Sequence, residues 1–422
     1  MRQIILLLAL LSISNISFGQ TVGRVTPGEA NRTQLDDLRM QGYEALYSLD
    51  YETANRRFKE MVRLFPDHPA GPQCLAATLW MQELNRSRHQ QASLYSTESF
   101  YDRQEKPNPQ LVQQFHSLTR TAVQLAEARL KRNRRDLEAL YFLGVTEGLR
   151  AVFAAAVERK FTSALTHSSR AVDRHREVLK LDPNFHDAEL SIGMQDFIVG
   201  SLPLPVKIMA SIGGVRGSKK RGLETLERVA REGRWARGTA RLLLIDFYKR
   251  EKRWTEALVT AREMAERYPR NYLFKLQAAD ALVARAATLR QTNGSSIAAA
   301  SADQEEAIRI FESLLRDRSN GKGSNPTPDD LVHFRYGEVL LLAGRPQRAI
   351  EEFRAAGQIG DEPGLITMAR LRVAQSMDLA GRRREALAEY GAVLERPRFQ
   401  RSYEEARRGL REPYRMTELN QE

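Results

Sequence analysis

The feature that most constrains the fold of this 422-residue chain is a spacing of small, aromatic and proline residues that returns along its length. Gly42 is followed by Ala54 twelve positions on, Phe58 four further and Pro66 eight beyond that. The short Leu49-Asp50-Tyr51-Glu52 segment falls between two stretches patterned as amphipathic helices. Small residues let two antiparallel helices touch, the aromatic fills the space towards the next pair, and proline stops the second helix. Gly337, Ala349 and Phe353 repeat the offsets of twelve and four with Gly344 in the turn, and Ala386 and Tyr390 keep the offset of four with Gly381 in theirs. Ala171 to Pro183 and Ala257 to Pro269 reproduce the interval from Ala54 to Pro66. Gly144 and Gly193 each open a helix after a polar break, and the step from Pro183 to Gly193 fits a period of ~34 residues.

These landmarks resemble the tetratricopeptide repeat (TPR) family from about residue 35 onwards. The resemblance implies an all-α fold, a solenoid of TPR-type helical hairpins wound as a right-handed superhelix with insertions. About eight irregular units fill residues 35–400, starting near residues 35, 69, 137, 186, 238, 272, 330 and 367. The second unit is the least regular, with Ala122 and Ala126 where alanine and an aromatic are expected. Several intervals exceed the period, and the excess falls mostly between the two helices of a unit; insertions in a solenoid gather on one face, often the binding face. Residues 20–34 read as a flexible N-terminal segment, 318–329 as a loop and 401–422 as a C-terminal tail. The insertion at 196–217 is apolar. Between Asp196 and Lys207 it carries no charge and two prolines, too short and too broken for a membrane-spanning helix. Its Ser-Leu-Pro, Lys-Ile, Gly-x-x-Gly and Gly-Leu-Glu order, within residues 196–230, is similar to a segment of the TPR-like family that includes the inclusion-body clearance proteins.

Ahead of the repeats, Arg2 is the only charge before an apolar run from Ile4 to Leu11, and Ser17 and Gly19 flank Phe18. This is the order of a cleavable secretory signal, residues 1–19, cut after Gly19 and leading to a periplasmic or secreted mature chain. The one cysteine, Cys74, leaves no internal disulfide and sits in apolar company as a small hydrophobe. Lysine and arginine number 65 against 53 acidic residues, a net +12 that suits an anionic partner. Export turns the expectation away from nucleic acid and towards a protein or peptide partner, with peripheral contact to an anionic envelope surface and no transmembrane helix in the mature chain. A hydrophobic share of 42% excludes a disordered chain.

Motifs for catalysis or cofactors are not met. Gly213-Gly214-Val215-Arg216-Gly217-Ser218-Lys219-Lys220 lacks the order of a phosphate loop and reads as a turn with a basic rim before a helix. The histidines, His68, His89, His116, His167, His175, His186 and His333, include no pair three or four apart, so no helical zinc site is expected. His175 takes the repeat's packing-aromatic position. A Gly-x-Ser-x-Gly elbow is absent, and adjacent acids such as Asp36-Asp37, Glu305-Glu306 and Glu351-Glu352 point to different sides of a helix. No catalytic residue, metal or cofactor is therefore expected. Basic clusters at 131–135, 216–221 and 382–384 fall at helix ends, where the helix dipole favours cations facing water.

In the TPR family the first helix of each unit lines the concave surface. The resemblance places Arg39, Tyr43, Tyr47, Tyr141, Val145, Leu190, Met194, Phe197, Asp246, Phe334 and Glu338 on that face. Aromatic and methionine side chains there suit an extended segment or an amphipathic helix of a partner. The TPR subfamily that clamps a C-terminal carboxylate has Lys and Asn where this chain has Arg39, Tyr43 and Cys74, which speaks against that specificity. The sequence thus reads as an exported, noncatalytic scaffold binding a protein or peptide segment, in envelope assembly or the handling of exported proteins. A periplasmic solute- or glycan-binding protein using the same concavity, and an enzyme with its site in the insertions, are the alternatives.

Overall fold

The computed structural model describes residues 27–86, 108–205, 207–208, 216–292, 297–319 and 329–416. Among them the regular elements are helices: α1 (Pro27–Tyr47), α2 (Tyr51–Leu64), α3 (Ala70–Arg86), α4 (Pro109–Arg132), α5 (Leu137–Ala156), α6 (Phe161–Leu181), a 3-10 turn (His186–Ala188), α7 (Glu189–Ser201), α8 (Lys219–Glu232), α9 (Arg237–Arg250), α10 (Trp254–Arg267), α11 (Tyr272–Thr292), α12 (Ile297–Ser319), α13 (Asp329–Leu342), α14 (Pro346–Ile359), α15 (Pro363–Leu379), α16 (Arg383–Leu394) and α17 (Ser402–Arg411). Each helix packs chiefly on the next. The chain is therefore an all-α solenoid of stacked TPR-like hairpins, α1/α2 through α15/α16, with α17 against the last pair.

Four hairpin turns share one geometry. Leu49 (φ 61°), Lys252 (φ 58°), Gly344 (φ 72°) and Gly381 (φ 75°) each sit two residues before a second helix. The following residue reaches back five positions, as in Asp50 N to Ala45 O and Arg345 N to Leu340 O, both 2.8 Å. This left-handed closure satisfies the last carbonyls of the first helix. Second helices then start on side-chain caps where the sequence supplies one, Asp50 accepting from Thr53 N at 3.1 Å and Ser218 from Arg221 N at 3.3 Å.

The repeated small and aromatic positions meet as their spacing predicts. A Cβ on Gly337 of α13 would lie 2.8 Å from the Phe353 ring of α14, and Gly42 approaches Phe58 more closely still. Phe58, Phe353 and Tyr390 are all buried. At Gly144 the partner is the His175 ring. Buried His175 donates from Nε2 to the Tyr141 carbonyl (3.2 Å) and accepts the Ser191 hydroxyl at Nδ1 (2.7 Å). Burial holds the imidazole neutral, pushing its pKa down to about 4. Cys74 is buried and free. By length and composition α5 could cross a membrane, but 61% of its apolar window is buried, and its Phe153 stacks on Phe115 with ring centroids 3.7 Å apart. It is a core helix.

Between α7 and α8 the backbones themselves touch. A Cβ on Gly222 would come within 2.6 Å of Phe197 N and 2.8 Å of Gly193 O, and one on Gly217 within 2.6 Å of Gly200 N. Gly217 thus serves a close chain crossing that leads into α8. Gly222→Ala is expected to push the two helices apart and cost about 1–3 kcal/mol, seen as a lowered thermal midpoint, whereas Gly391→Ala, whose Cβ meets nothing, is expected to be neutral or mildly stabilising through helix propensity.

The boundaries differ from the sequence reading at both ends. The first helix begins at Pro27, inside the 20–34 segment expected to be flexible. The expected tail at 401–422 opens with α17, whose Ala406 and Gly409 are buried, Gly409 against the Tyr390 ring. Within 196–217, residues 196–201 are the end of α7. The signal segment 1–19, residues 206 and 209–215 of the insertion and residues 320–328 of the 318–329 loop lie outside the described residues.

Candidate binding surfaces

The first turn of the solenoid closes against the middle of the stack. The first hairpin packs against segments roughly two hundred residues away: Tyr47 Oη lies 2.9 Å from Thr239 Oγ1, and Asn271 Nδ2 donates to the Tyr47 carbonyl at 2.7 Å. Ion pairs line this seam, with acids from the α1/α2 hairpin meeting arginines of the later segment: Asp36 with Arg234 (2.7 Å), Glu44 with Arg267, and Asp50 with Arg270 (3.5 Å). Signs are complementary at each contact, so the seam has a fixed register.

Arg39 sits at the centre of the closure. Its guanidinium carbon is 4.5 Å from the Trp235 ring, 5.0 Å from Phe142, 5.7 Å from Tyr43 and 5.8 Å from Tyr141. The side chain is buried, and Nε and Nη1 make no hydrogen bond, so aromatic faces take the place of a carboxylate. Trp235 is set there by Asp187, whose carboxylate accepts from the backbone N–H groups of Arg234 (3.2 Å), Trp235 (2.7 Å) and Ala236 (2.6 Å). Burial raises the phenols of Tyr43, Tyr47 and Tyr141 above their usual range and raises the Cys74 thiol as well.

This closure corrects part of the expected groove. Arg39, Tyr47 and Tyr141 are buried in the seam rather than presented to a partner; Phe197 is buried against Phe247 (ring centroids 3.9 Å) and Phe334 against Phe353 (5.5 Å). The physical reason is the same in each case: a neighbouring helix, or the closing hairpin, covers the ring. Tyr43, Val145, Leu190, Met194, Asp246 and Glu338 remain partly exposed on α1, α5, α7, α9 and α13. Trp235 and Phe142, which complete the aromatic cage, escaped the sequence reading because Trp235 lies in a connection between units.

Beyond the seam, a polar ladder runs across first helices. Lys249 of α9 is ion-paired with Asp280 of α11 and donates to Gln277 at 2.9 Å. In α13, Arg335 bonds Glu338 (2.7 Å), which lies 4.0 Å from Arg372 of α15. Arg372 donates to Gln375 (2.8 Å), which donates to Glu405 of α17 (2.9 Å). Asp280 is 2% exposed, and burial pushes its carboxyl up to about 6 against the pull of Lys249. These contacts tie α9 to α11, and α13 to α15 and α17.

The histidines are mostly carboxylate partners: His68 faces Glu138 (3.5 Å), His116 faces Glu158 (3.3 Å), His167 faces Glu147 (2.5 Å) and His333 faces Glu352 (2.6 Å). Hydrogen bonding from His68, reinforced by Arg32 and Arg129, holds Glu138 down at about 2. Among the described residues no group of three His, Cys, Asp or Glu side chains is placed to hold a metal ion. In two of the basic clusters the cations pair locally, Arg221 with Asp196 (2.6 Å), Lys219 with Glu251 (2.6 Å) and Arg383 with Asp378 (3.0 Å).

No protein-family model and no curated relative matches the sequence. Solved structures similar in shape include the human IFIT1 dimer with PPP-AAAA (13% identity, 89% of this chain and 84% of that one, TM-score 0.41) and yeast Tom70 (10%, 87% and 86%, 0.35). A third is a thermophilic TPR protein of Thermus thermophilus (16%, 60% and 98%, 0.33). At these scores the likeness says nothing about ligands. The TPR-like character of the fold rests on the turn geometry and glycine–aromatic contacts of the hairpins themselves.

Proposed function

We propose that the protein is an exported, noncatalytic scaffold that binds a protein segment along its first helices. The observation that carries this reading is the set of part-exposed Val145, Leu190 and Met194 on α5 and α7, with Asp246 and Glu338 on α9 and α13. Apolar side chains with flanking acids suit an amphipathic or extended segment. The surface is preformed, because seam and ladder fix the hairpins, so little ordering is needed on binding. Envelope assembly or the handling of exported proteins is the proposed setting.

An affinity pull-down from envelope extract with the chain starting at Gln20 tests the reading. Retention of a protein that survives nuclease treatment is expected. Retention lost on nuclease treatment would point to nucleic acid instead. No retained protein together with clear thermal stabilisation by a small solute or glycan would replace the scaffold with a solute-binding protein.

A further inference from the structure

The ends of α6 and α7 remote from their connection expose large apolar side chains that the groove reading does not use. Phe161 is 66% exposed and Leu165 72% at the start of α6; Ile198 is 47%, Leu204 70% and Ile208 54% exposed at and beyond the end of α7. The two sets lie towards one end of the α6/α7 pair. The chain reverses within residues 182–188, and His175 bonds Ser191 across the pair, so the beginning of α6 and the end of α7 lie on the same side of that bond. Lys207 Nζ donates to the Gly200 carbonyl at 2.7 Å, which ties Lys207 to the α7 terminus.

Charge at this end has one prevailing sign. From Phe161 to Ser169 and from Phe197 to Val206 the sequence has no acidic or basic residue other than His167. Around these stretches stand exposed Arg159, Lys160, Arg216 and Lys220, the last two brought beside Gly200 by the close Gly200–Gly217 and Gly200–Lys219 backbone contacts. Four acids lie nearby and each has a basic partner, Glu158 with Lys160 (2.7 Å) and His116, Asp196 with Arg221, Glu251 with Lys219 (2.6 Å) and Glu224 with Lys220 (3.9 Å), so cations outnumber acids at this end. Pro203 and Pro205 are exposed and have no backbone N–H to strip of water on entering an apolar phase. Lys160 gives α6 no side-chain cap, so its first turn presents the positive end of the helix dipole at the same place.

We infer that this end is a membrane-contact surface that seats Phe161, Leu165, Leu204 and Ile208 in the headgroup region of an anionic lipid bilayer. Exposed apolar side chains supply the insertion and the basic rim supplies attraction to acidic headgroups, the two components that peripheral binding needs. Charge complementarity selects the lipid surface over a neutral apolar partner. The inference is independent of the groove and leaves it free for its segment.

The test is co-sedimentation of the chain from Gln20 with vesicles of phosphatidylcholine containing phosphatidylglycerol, against vesicles of phosphatidylcholine alone. The expected result is binding to the anionic vesicles only, weakened by raised salt. Leu165→Glu with Leu204→Glu is expected to weaken it about tenfold or more, and Arg216→Glu with Lys220→Glu to a similar degree. These positions are exposed, so unchanged helicity and thermal midpoint verify that the variants fold. Absence of binding by the unmodified chain, or equal binding by the variants, overturns the inference. So does sedimentation velocity showing a dimer that the Leu165→Glu, Leu204→Glu variant dissociates, which would give this end to a second copy of the chain.

Discussion

Phe58→Ala is expected to destabilise the first hairpin by about 3–5 kcal/mol and to loosen, at the same time, residues nearly two hundred positions away. Phe58 is completely buried, meets Gly42, and packs edge-on to Tyr43 with ring centroids 5.6 Å apart. Removing the ring leaves a void that α1 cannot fill without moving. In an open solenoid the damage would stay with the terminal repeat, since each repeat contacts only its neighbours. Here α1 also carries Tyr47, bonded to Thr239 and to Asn271, and Glu44, paired with Arg267. Hydrogen exchange should therefore quicken at residues 235–248 and 268–276 as well as at 27–64, while α13 to α16 keep their protection. Quickening confined to 27–64 would show that the seam does not couple the two segments.

The second large effect is on acid stability. Folded His175 titrates at about 4 because it is buried and neutral, well below the ordinary value of 6.5. Above pH 6.5 the imidazole is neutral folded or unfolded and contributes nothing to pH dependence. As pH falls through 6.5 the unfolded chain takes up the proton first, so stability falls until the folded group also titrates near pH 4, a loss of about 3 kcal/mol. Asp280 acts with the opposite sign over an overlapping range, because burial raises its carboxyl in the folded state. Glu138, held low, loses its contribution further down, as pH falls from its ordinary 4.5 to about 2. The difference between His175→Phe and the unmodified chain isolates the histidine. Phenylalanine keeps a ring against Gly144, and the variant is expected to gain relative stability between pH 6.5 and 4 in urea titrations. A pH-independent difference would mean that His175 titrates alike in the folded and unfolded chain and is not held neutral by burial.

Much of the architecture was legible because the repeat writes its packing into one-residue choices. Gly42 with Phe58, Gly337 with Phe353, and the turn glycines Gly344 and Gly381 each predict a contact or a backbone conformation that local physics demands. His175 was legible as a packing ring for the same reason. What periodicity cannot show is how far the stack curves. The seam depends on residues such as Trp235 and Asn271, which sit in connections and follow no repeat spacing, and on pairing between acids and arginines distant in sequence. Arg39, Tyr47 and Tyr141 carry the composition of a groove and lie inside the closure instead. The helix in the expected tail escaped for a different reason: α17 is short and highly charged, and its small face finds meaning only against Tyr390.

Site-specific photocrosslinking tests the central claim, that a protein segment docks along the first helices. A benzophenone amino acid placed at Leu190, Met194 or Asp246 reads the part-exposed row, and one at Lys59 of α2 or Glu263 of α10 reads exposed second helices. In envelope extract, adducts with a common protein from the first set and none from the second are the predicted result. Adducts from Lys59 and Glu263 alone would contradict it and move the binding surface to the opposite face of the solenoid.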